Sequence, residues 1–510
     1  MVLLATVVLV GRALLAERQT VDDVFIFLRT ARNLAEHGEM AFNPGARVEG
    51  TSSPAWTLVL ALAWRLGAHG LGVAKVGSLA CGALVPAACA LAATRGGLRR
   101  PLAILLPAVA LAFDADLATW AVSGMDTALW TLACVGCVVL SSRPRLAAAA
   151  LGALAWVRPE GPMFAALGVL ALARDRRSML RLSLLAAAPV VLLTALRLGY
   201  FHALVPNTFW AKMNAADGKD FTGTGYLASA LTRRPLLLAA LPLAGLVVSR
   251  TSSSVRLALA LLLATLLFAG LAGGDWMPGR RLLVPALPLA AIVAAVVLAR
   301  RPPRLATATC LALAAEAGLT FDHAVDQTWR NDEWLDERVS AWWPRVPPFV
   351  TPYPLDWMPT HLLRQIAPYV APGDTVAHVD VGELPYVMGD VAFLDGFGLV
   401  DRQAGRVAFS PRDPMMRAAA ADEFFASKPA VAIVVLDEST GRPFAAAQDV
   451  VLADPRFVAR WRELARVPTW GNHPCVTFVR RDVMPVDRAT AGARVGAWLA
   501  GVPDVRAQAD

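Results

Sequence analysis

Apolar stretches approaching the length of a membrane span recur from the N-terminus to about residue 319 and then stop. Nothing else constrains the fold as tightly. A hydrocarbon core admits only structures that satisfy every backbone hydrogen bond internally, and single runs of this kind do so as helices. The expected spans are about 1–15, 73–93, 101–113, 118–140, 146–158, 161–173, 180–198, 235–249, 256–272, 281–299 and 305–319. Several are shorter than the ~20 residues a crossing needs, so their ends recruit neighbouring residues or the helices are half-buried in a bundle. Composition agrees. Of 510 residues, 56% are hydrophobic and 17% charged, where a soluble domain carries about a quarter charged. Beyond 319 the chain is charged and rich in proline, with short apolar runs. The expected class is an α-helical polytopic membrane protein of about 11 transmembrane helices with a C-terminal extracytoplasmic α/β domain. Its units are a transmembrane domain at 1–319, a Trp-rich interfacial connector at 320–360 and a soluble domain at 361–510.

Arginine sets the orientation. The net charge of +8 is almost all arginine, with lysine only at Lys75, Lys212, Lys219 and Lys428. Arg95, Arg99 and Arg100 share one loop, and Arg143 and Arg145 a second. Arg174, Arg176, Arg177 and Arg181 form a third, Arg250 and Arg256 a fourth, and Arg300, Arg301 and Arg304 a fifth. These spans put all five on one side, which the positive-inside rule makes cytoplasmic. The parity requires residues 53–67 to be a surface or re-entrant helix. The first outer loop, 16–72, and the tail then face outward. No basic patch interleaved with aromatics and no zinc-finger spacing indicates a nucleic-acid partner. Cys134 and Cys137 form a CxxC without nearby His or charge, and read with Cys81, Cys89 and Cys310 as apolar packing residues. Cys475 stands alone in the tail.

"TVDDVFIFLRTARNLAEHGEM" follows the first span and carries adjacent carboxylates, Asp22 and Asp23. Thr20-x-x-Asp23 has the shape of a capping box. Val24, Phe27, Leu28, Ala31, Leu34 and Ala35 form an apolar stripe opposite Arg32, Asn33 and Glu36, which predicts a helix lying flat on the membrane. Its dipole is expected to keep both acids ionised, as a general base requires. Further charges fall in outward loops, where orientation gives them no reason to be: Arg158, Glu160, Lys212, Asp275, Arg280 and Arg281, with Arg233 and Arg234 opening a span. Each alone reads as an interfacial anchor or a loop ion pair. Together they converge on the side of the Asp pair and suit an anionic lipid headgroup, since arginine grips phosphate bidentately.

"DDVFIFLRTARNLAEHGEMAFNPGARVEGTSSPAW" resembles the first outer loop of polytopic GT-C glycosyltransferases, and more closely a bacterial branch related to the terminal arabinofuranosyltransferases of actinobacterial cell walls. The resemblance rests on Asp22-Asp23, on Asn43-Pro44-Gly45-Ala46-Arg47-Val48-Glu49-Gly50 and on Ser53-Pro54-Ala55-Trp56. It continues through "SGMDT" (123–127), "RPEG" (158–161), "PNTFWAK" (206–212), "GGDWMPGRRLLVPALPL" (273–289), "DVGELPYVMG" and "LDGFGLVDR". Thr51 stands where an aromatic is expected and Asp126 where Glu is. The resemblance implies a GT-C-like bundle in a bacterial plasma membrane. It implies transfer of a pentofuranose or hexose from a polyprenyl-phosphate donor to a cell-envelope glycan, lipid or protein acceptor on the outer face. Asp22 is the expected base, with Asp23 orienting it or the acceptor. Arg158, Lys212, Arg280 and Arg281 are the expected phosphate ligands. Arg29, Asn43, Glu49, Ser53, Trp56, Asp126, Glu160, Asn207 and Asp275 complete the expected substrate-binding set. A divalent metal ion held by Asp22 or Asp23 is open.

Trp329, Trp334, Trp342, Trp343 and Trp357 fall after the last span, and the connector reads as resting at the lipid–water boundary. Stacking on carbohydrate is a second reading. "TVAHVDVG", "VAFLD" and "AVAIVVLD" read as buried strands and "ADEFFAS" as a helix. No GxGxxG or Walker spacing indicates a nucleotide, and the domain is expected to bind acceptor or cover the site. The rival class is a transporter or flippase of lipid-linked sugars, which would set ionisable groups at mid-membrane in repeated halves.

Overall fold

The computed structural model describes residues 2–16, 20–95, 108, 110–213, 223–233, 252–275, 277–298, 353–354, 357–437, 439–468, 474–502 and 505–506. Most of the expected 320–360 connector, the spans at 235–249 and 305–319, most of that at 101–113, and Cys310 lie outside these residues.

The bundle begins with α1 (Val2–Leu15), α2 (Asp23–His37), α3 (Pro54–Arg65) and α4 (Gly70–Arg95). It continues with α5 (Ala115–Val122), α6 (Thr127–Val139), α7 (Pro144–Val157), α8 (Gly161–Leu172) and α9 (Arg176–Phe201). Then come α10 (Asn207–Met213), α11 (Gly223–Arg233), α12 (Ser253–Leu271) and α13 (Ala286–Leu298). Among the described residues, α4, α9 and α12 are long and apolar enough to cross a membrane unaided. Helix α9 exposes Leu180, Leu184, Val191, Leu192, Leu196 and Leu198, an apolar face that is stable only against lipid. Its other face lies along α7, where a Cβ on Gly152 would meet the backbone of Ala186, so only glycine permits the crossing.

The expected span at 118–140 is not one helix. Helices α5 and the segment from Thr127 meet at 118°. Gly124, at φ 80°, takes a left-handed conformation that L side chains avoid. Its carbonyl accepts from Trp56 Nε1 at 3.0 Å. The "SGMDT" segment is therefore an elbow. Helix α3 has 12 residues, too few for a crossing.

Helix α2 does not lie flat on a membrane. Residues Val24 to Asn33 are all buried, polar side chains included. Arg29 and Arg32 meet Pro385, Tyr386, Met388 and Val391 of the α/β unit, Asn33 bonds Ala41 O and Phe42 O, and Glu36 stays exposed. No capping box forms either. Asp22 is the N-cap and makes no cap hydrogen bond, and Thr20 Oγ1 is buried without a partner.

The α/β unit carries a five-stranded sheet in the order β3-β2-β4-β6-β5, with β1 (Tyr353–Pro354) and β7 (Val505–Arg506) paired apart from it. Strands β2 (Thr375–His378), β3 (Ala392–Asp395) and β4 (Val431–Val435) are parallel. Strands β5 (Trp461–Pro468) and β6 (Pro474–Arg480) complete the sheet antiparallel. Helices α14 (Trp357–Ile366), α15 (Glu383–Val387), α16 (Arg402–Phe409), α17 (Pro414–Ser427), α18 (Ala446–Leu452), α19 (Pro455–Arg460) and α20 (Arg488–Ala500) surround it. The all-apolar β4, buried at every position, is the pattern of a strand covered on both faces.

Candidate functional site

Two groupings involve the 16–72 loop: its seat against the α/β unit, and a cluster of charged side chains around Lys212. The seat takes up many of the residues expected to bind substrate. Arg29 is fully buried. Its Nε donates to Phe42 O at 2.9 Å, its Nη1 to Pro385 O and to Met388 O at 3.2 Å, and its Nη2 to Val391 O at 2.7 Å. Asn43 Nδ2 donates to Phe393 O at 2.7 Å and its Oδ1 accepts from Phe393 N at 3.0 Å, a side-chain imitation of a strand pairing. Asn207 Nδ2 donates to Gly398 O and Asp401 O, each at 2.7 Å. Glu49 pairs with Arg197 at 2.7 Å with both side chains buried. Ser53 caps α3 by accepting from Trp56 N at 3.4 Å, and Trp56 holds the elbow. Arg29, Asn43, Glu49, Ser53, Trp56 and Asn207 are thus committed to protein groups rather than to an open cleft.

The two aspartates face different ways. Asp22 Oδ1 accepts from Glu383 N at 2.7 Å. A Cβ on Gly382 would collide with the Asp22 carboxyl group, so glycine is required for this approach. Burial, with the Asp380 and Glu383 carboxylates beside it, holds the Asp22 carboxyl well above the usual range. The shift runs against the helix dipole, which favours the ionised form. By exposure the two aspartates are alike, each half-buried; what separates them is the Glu383 N–H and the Asp380 carboxylate beside Asp22. Asp23 is half-buried and makes no side-chain hydrogen bond among the described residues. It acts electrostatically on Lys212.

Lys212 marks the cluster. It stands on α10, its side chain reached by solvent. Burial still pulls its ammonium below the usual lysine value, Asp23 and Asp275 raise it, and Arg281 and Arg158 lower it. These five side chains come from separate parts of the chain. Arg158 bonds Glu160 at 2.5 Å and lies 3.6 Å from Asp126. Arg281 pairs with Asp275 at 2.7 Å and lies 5.8 Å from the centre of the Trp120 ring. Both Asp126 oxygens are buried without a hydrogen bond. Arg280 has φ 43°, a backbone strain that rigid surroundings must hold. The arginines are thus already matched by acids, whereas Lys212 Nζ has no ion-pair partner among the described residues. Sequence reading missed Tyr226 and Asp116, which belong to the same charge cluster beside Asp275 and Arg281, and Asp380 beside Asp22. Only Asp380 carried a signal, lying in the "DVGELPYVMG" segment.

Among the described residues no group of three or more His, Cys, Asp or Glu side chains is placed to hold a metal ion.

The fold has known counterparts. ArnT from Cupriavidus metallidurans in the apo state superposes with a TM-score of 0.56 at 13% identity, covering 93% of this chain and 97% of that one. ArnT bound to undecaprenyl phosphate gives 0.56 and 13% over 95% and 99%. The chain has the ArnT fold. In sequence it is similar to the terminal beta-(1->2)-arabinofuranosyltransferase of Mycobacterium tuberculosis, 35% identical over 243 residues, or 42% of this chain and 38% of the relative. It is similar also to that of Corynebacterium glutamicum, 30% identical over 323 residues, or 52% of this chain and 46% of the relative. The matches thus span less than half the length of these curated relatives. Residues 356–483 match a domain of unknown function, DUF8728.

Proposed function

We propose that the chain is a membrane glycosyltransferase that moves a sugar from a polyprenyl-phosphate donor to a hydroxyl acceptor of the cell envelope, with Asp23 as general base. The observation that carries the reading is the gathering of Asp23, Asp275, Arg281 and Arg158 within electrostatic reach of Lys212. In the reaction the acceptor oxygen attacks the anomeric carbon and its proton passes to Asp23. The bond from the anomeric carbon to the phosphate oxygen breaks, and its electron pair stays on the lipid phosphate. Lys212 meets that growing charge without first surrendering a partner, and fixed cations aimed at developing charge are an effective form of catalysis. Arg158 and Arg281, held by their acids, supply the surrounding field. Asp22 holds the α/β unit against the first outer loop beside the cluster.

The similarity to arabinofuranosyltransferases and the shared fold with an undecaprenyl-phosphate-binding protein support the donor class. The one-sided arginine loops support a charged cluster and α/β unit on the extracytoplasmic side of a bacterial plasma membrane. The 1–319 and 361–510 divisions then separate the donor site from a cover that meets the acceptor. The test is transfer of label by purified protein in detergent, across a panel of polyprenyl-phosphate sugars. A transferase makes product without a sealed membrane. Movement of donor across vesicles with no product from any sugar is the flippase outcome and rejects the reading.

A further inference from the structure

The α/β unit contains a recess between one face of the sheet and helices α16, α17 and α18, with about 500 Å³ of free space that is continuous with solvent. It lies toward the carboxyl ends of β2, β3 and β4, where open α/β sheets take ligands. Ala377, Ala404, Ala420, Ala432 and Ala447 line it, and these short side chains leave the room. Four polar side chains share the lining: Asp395, Asp401, Glu423 and Gln448. Gln448 is 7% exposed. Its Nε2 donates to Ile433 O at 2.8 Å, which fixes the amide orientation and leaves Oε1 buried with no hydrogen-bond partner. Asp401 and Glu423 lie side by side, each acting on the other, and Asp401 Oδ1 also accepts from Ala404 N at 2.9 Å. No basic side chain lines the space. Arg402 acts on Glu423 from outside while donating to Phe201 O at 2.6 Å and Arg47 O at 3.3 Å. Burial first, with Asp401 beside each of them, pushes the Asp395 and Glu423 carboxyls up to about 7.

We propose that this cavity binds a compact organic cation, a primary ammonium group on a small apolar body. The unpaired Gln448 Oε1 needs a donor, since a buried acceptor left alone is costly. An ammonium group brings three donors and no acceptor, which matches Gln448 Oε1 and the Asp401–Glu423 pair together. Its charge offsets the repulsion between these two half-buried acids. The alanines, with Phe424 and Phe457, accept the apolar body. A phosphate or carboxylate ligand is disfavoured by the acids. A polyol would find acceptors here but few side-chain donors. The inference is independent of the glycosyl-transfer reading.

The experiment is calorimetric titration of the full chain in detergent with benzylamine and with benzyl alcohol, its uncharged counterpart. The expected result is saturable 1:1 binding of benzylamine, roughly tenfold or more tighter than benzyl alcohol, as charge-assisted bonds exceed neutral ones. Ala420→Leu, which fills the space, and Glu423→Gln, which keeps the side-chain shape without its charge, each weaken benzylamine by about tenfold or more. If Ala420→Leu fails to fold, Ala404→Leu fills the same cavity from α16. Equal affinity for the two compounds, no binding, or benzylamine affinity unchanged in a folded filling variant overturns the proposal.

Discussion

Replacing Arg29 by methionine keeps the apolar stem and removes the guanidinium. Four backbone carbonyls, those of Phe42, Pro385, Met388 and Val391, then lose a charged donor. Hydrogen bonds to a charged group contribute roughly 1.5–3 kcal/mol each, or about 6–12 kcal/mol gross. Against this stands the several kcal/mol that burying the guanidinium costs. The expected net loss is about 3–5 kcal/mol, the range seen when a buried charged interaction is broken. It falls on the seat of the α/β unit rather than on the helices. The assay is amide hydrogen exchange of the full chain in detergent, read over 385–393 and, as control, over α12. At 1.4 kcal/mol per tenfold, protection over 385–393 should fall by about a hundredfold or more. The peptides of α12 should not change. Arg29→Lys should be intermediate, because a point charge cannot serve four carbonyls spread around a planar fork. Unchanged exchange at 385–393 in Arg29→Met, with the protein folded, would refute the assignment of Arg29 to docking.

Gly382→Ala should loosen the same seat by forcing a methyl group against the Asp22 carboxyl; Asp22→Ala in the same chain should recover much of the lost exchange protection. Lys212→Met should weaken binding of a polyprenyl-phosphate sugar by about ten- to a hundredfold, the equivalent of roughly 1.5–3 kcal/mol for one charged contact, measured by titration in detergent. Docking should also respond to pH. Because the folded carboxyl of Asp22 is raised, its contribution is full below the ordinary carboxylate range and is lost as pH rises through the raised value. Exchange over 380–388 should therefore lose protection with rising pH after correction for intrinsic rates, and Asp22→Asn should flatten that dependence.

Hydropathy made the bundle legible because lipid-facing helices such as α9 must carry apolar residues along most of their length. It hid the elbow at Ser123–Asp126. Two polar residues, a glycine and a methionine inside a long apolar run leave the average unchanged, and the partner that fixes the bend, Trp56, lies 68 residues away. The strand runs were legible by their short apolar character, and 375–382, 391–395 and 430–437 contain β2, β3 and β4. The roles of Arg29 and Asn43 were not, because the groups they bind lie about 350 residues further along and only the folded chain brings them near. What sequence could not separate was a residue of the charged cluster from one seating the α/β unit against the 16–72 loop. Asp22 and Asp23 are the sharpest instance: adjacent, chemically identical, and distinguished only by Glu383 and Asp380 on one side and Lys212 on the other.

That distinction is tested most directly by the turnover of Asp22→Asn and Asp23→Asn, measured side by side with donor affinity on folded protein. The account predicts that Asp23→Asn loses roughly 10²- to 10⁴-fold in turnover, the usual worth of a general base, while donor binding changes little. Asp22→Asn keeps the shape and an acceptor for Glu383 N and should stay within a few fold of the parent. Loss of turnover in Asp22→Asn with near-normal turnover in Asp23→Asn would contradict the account.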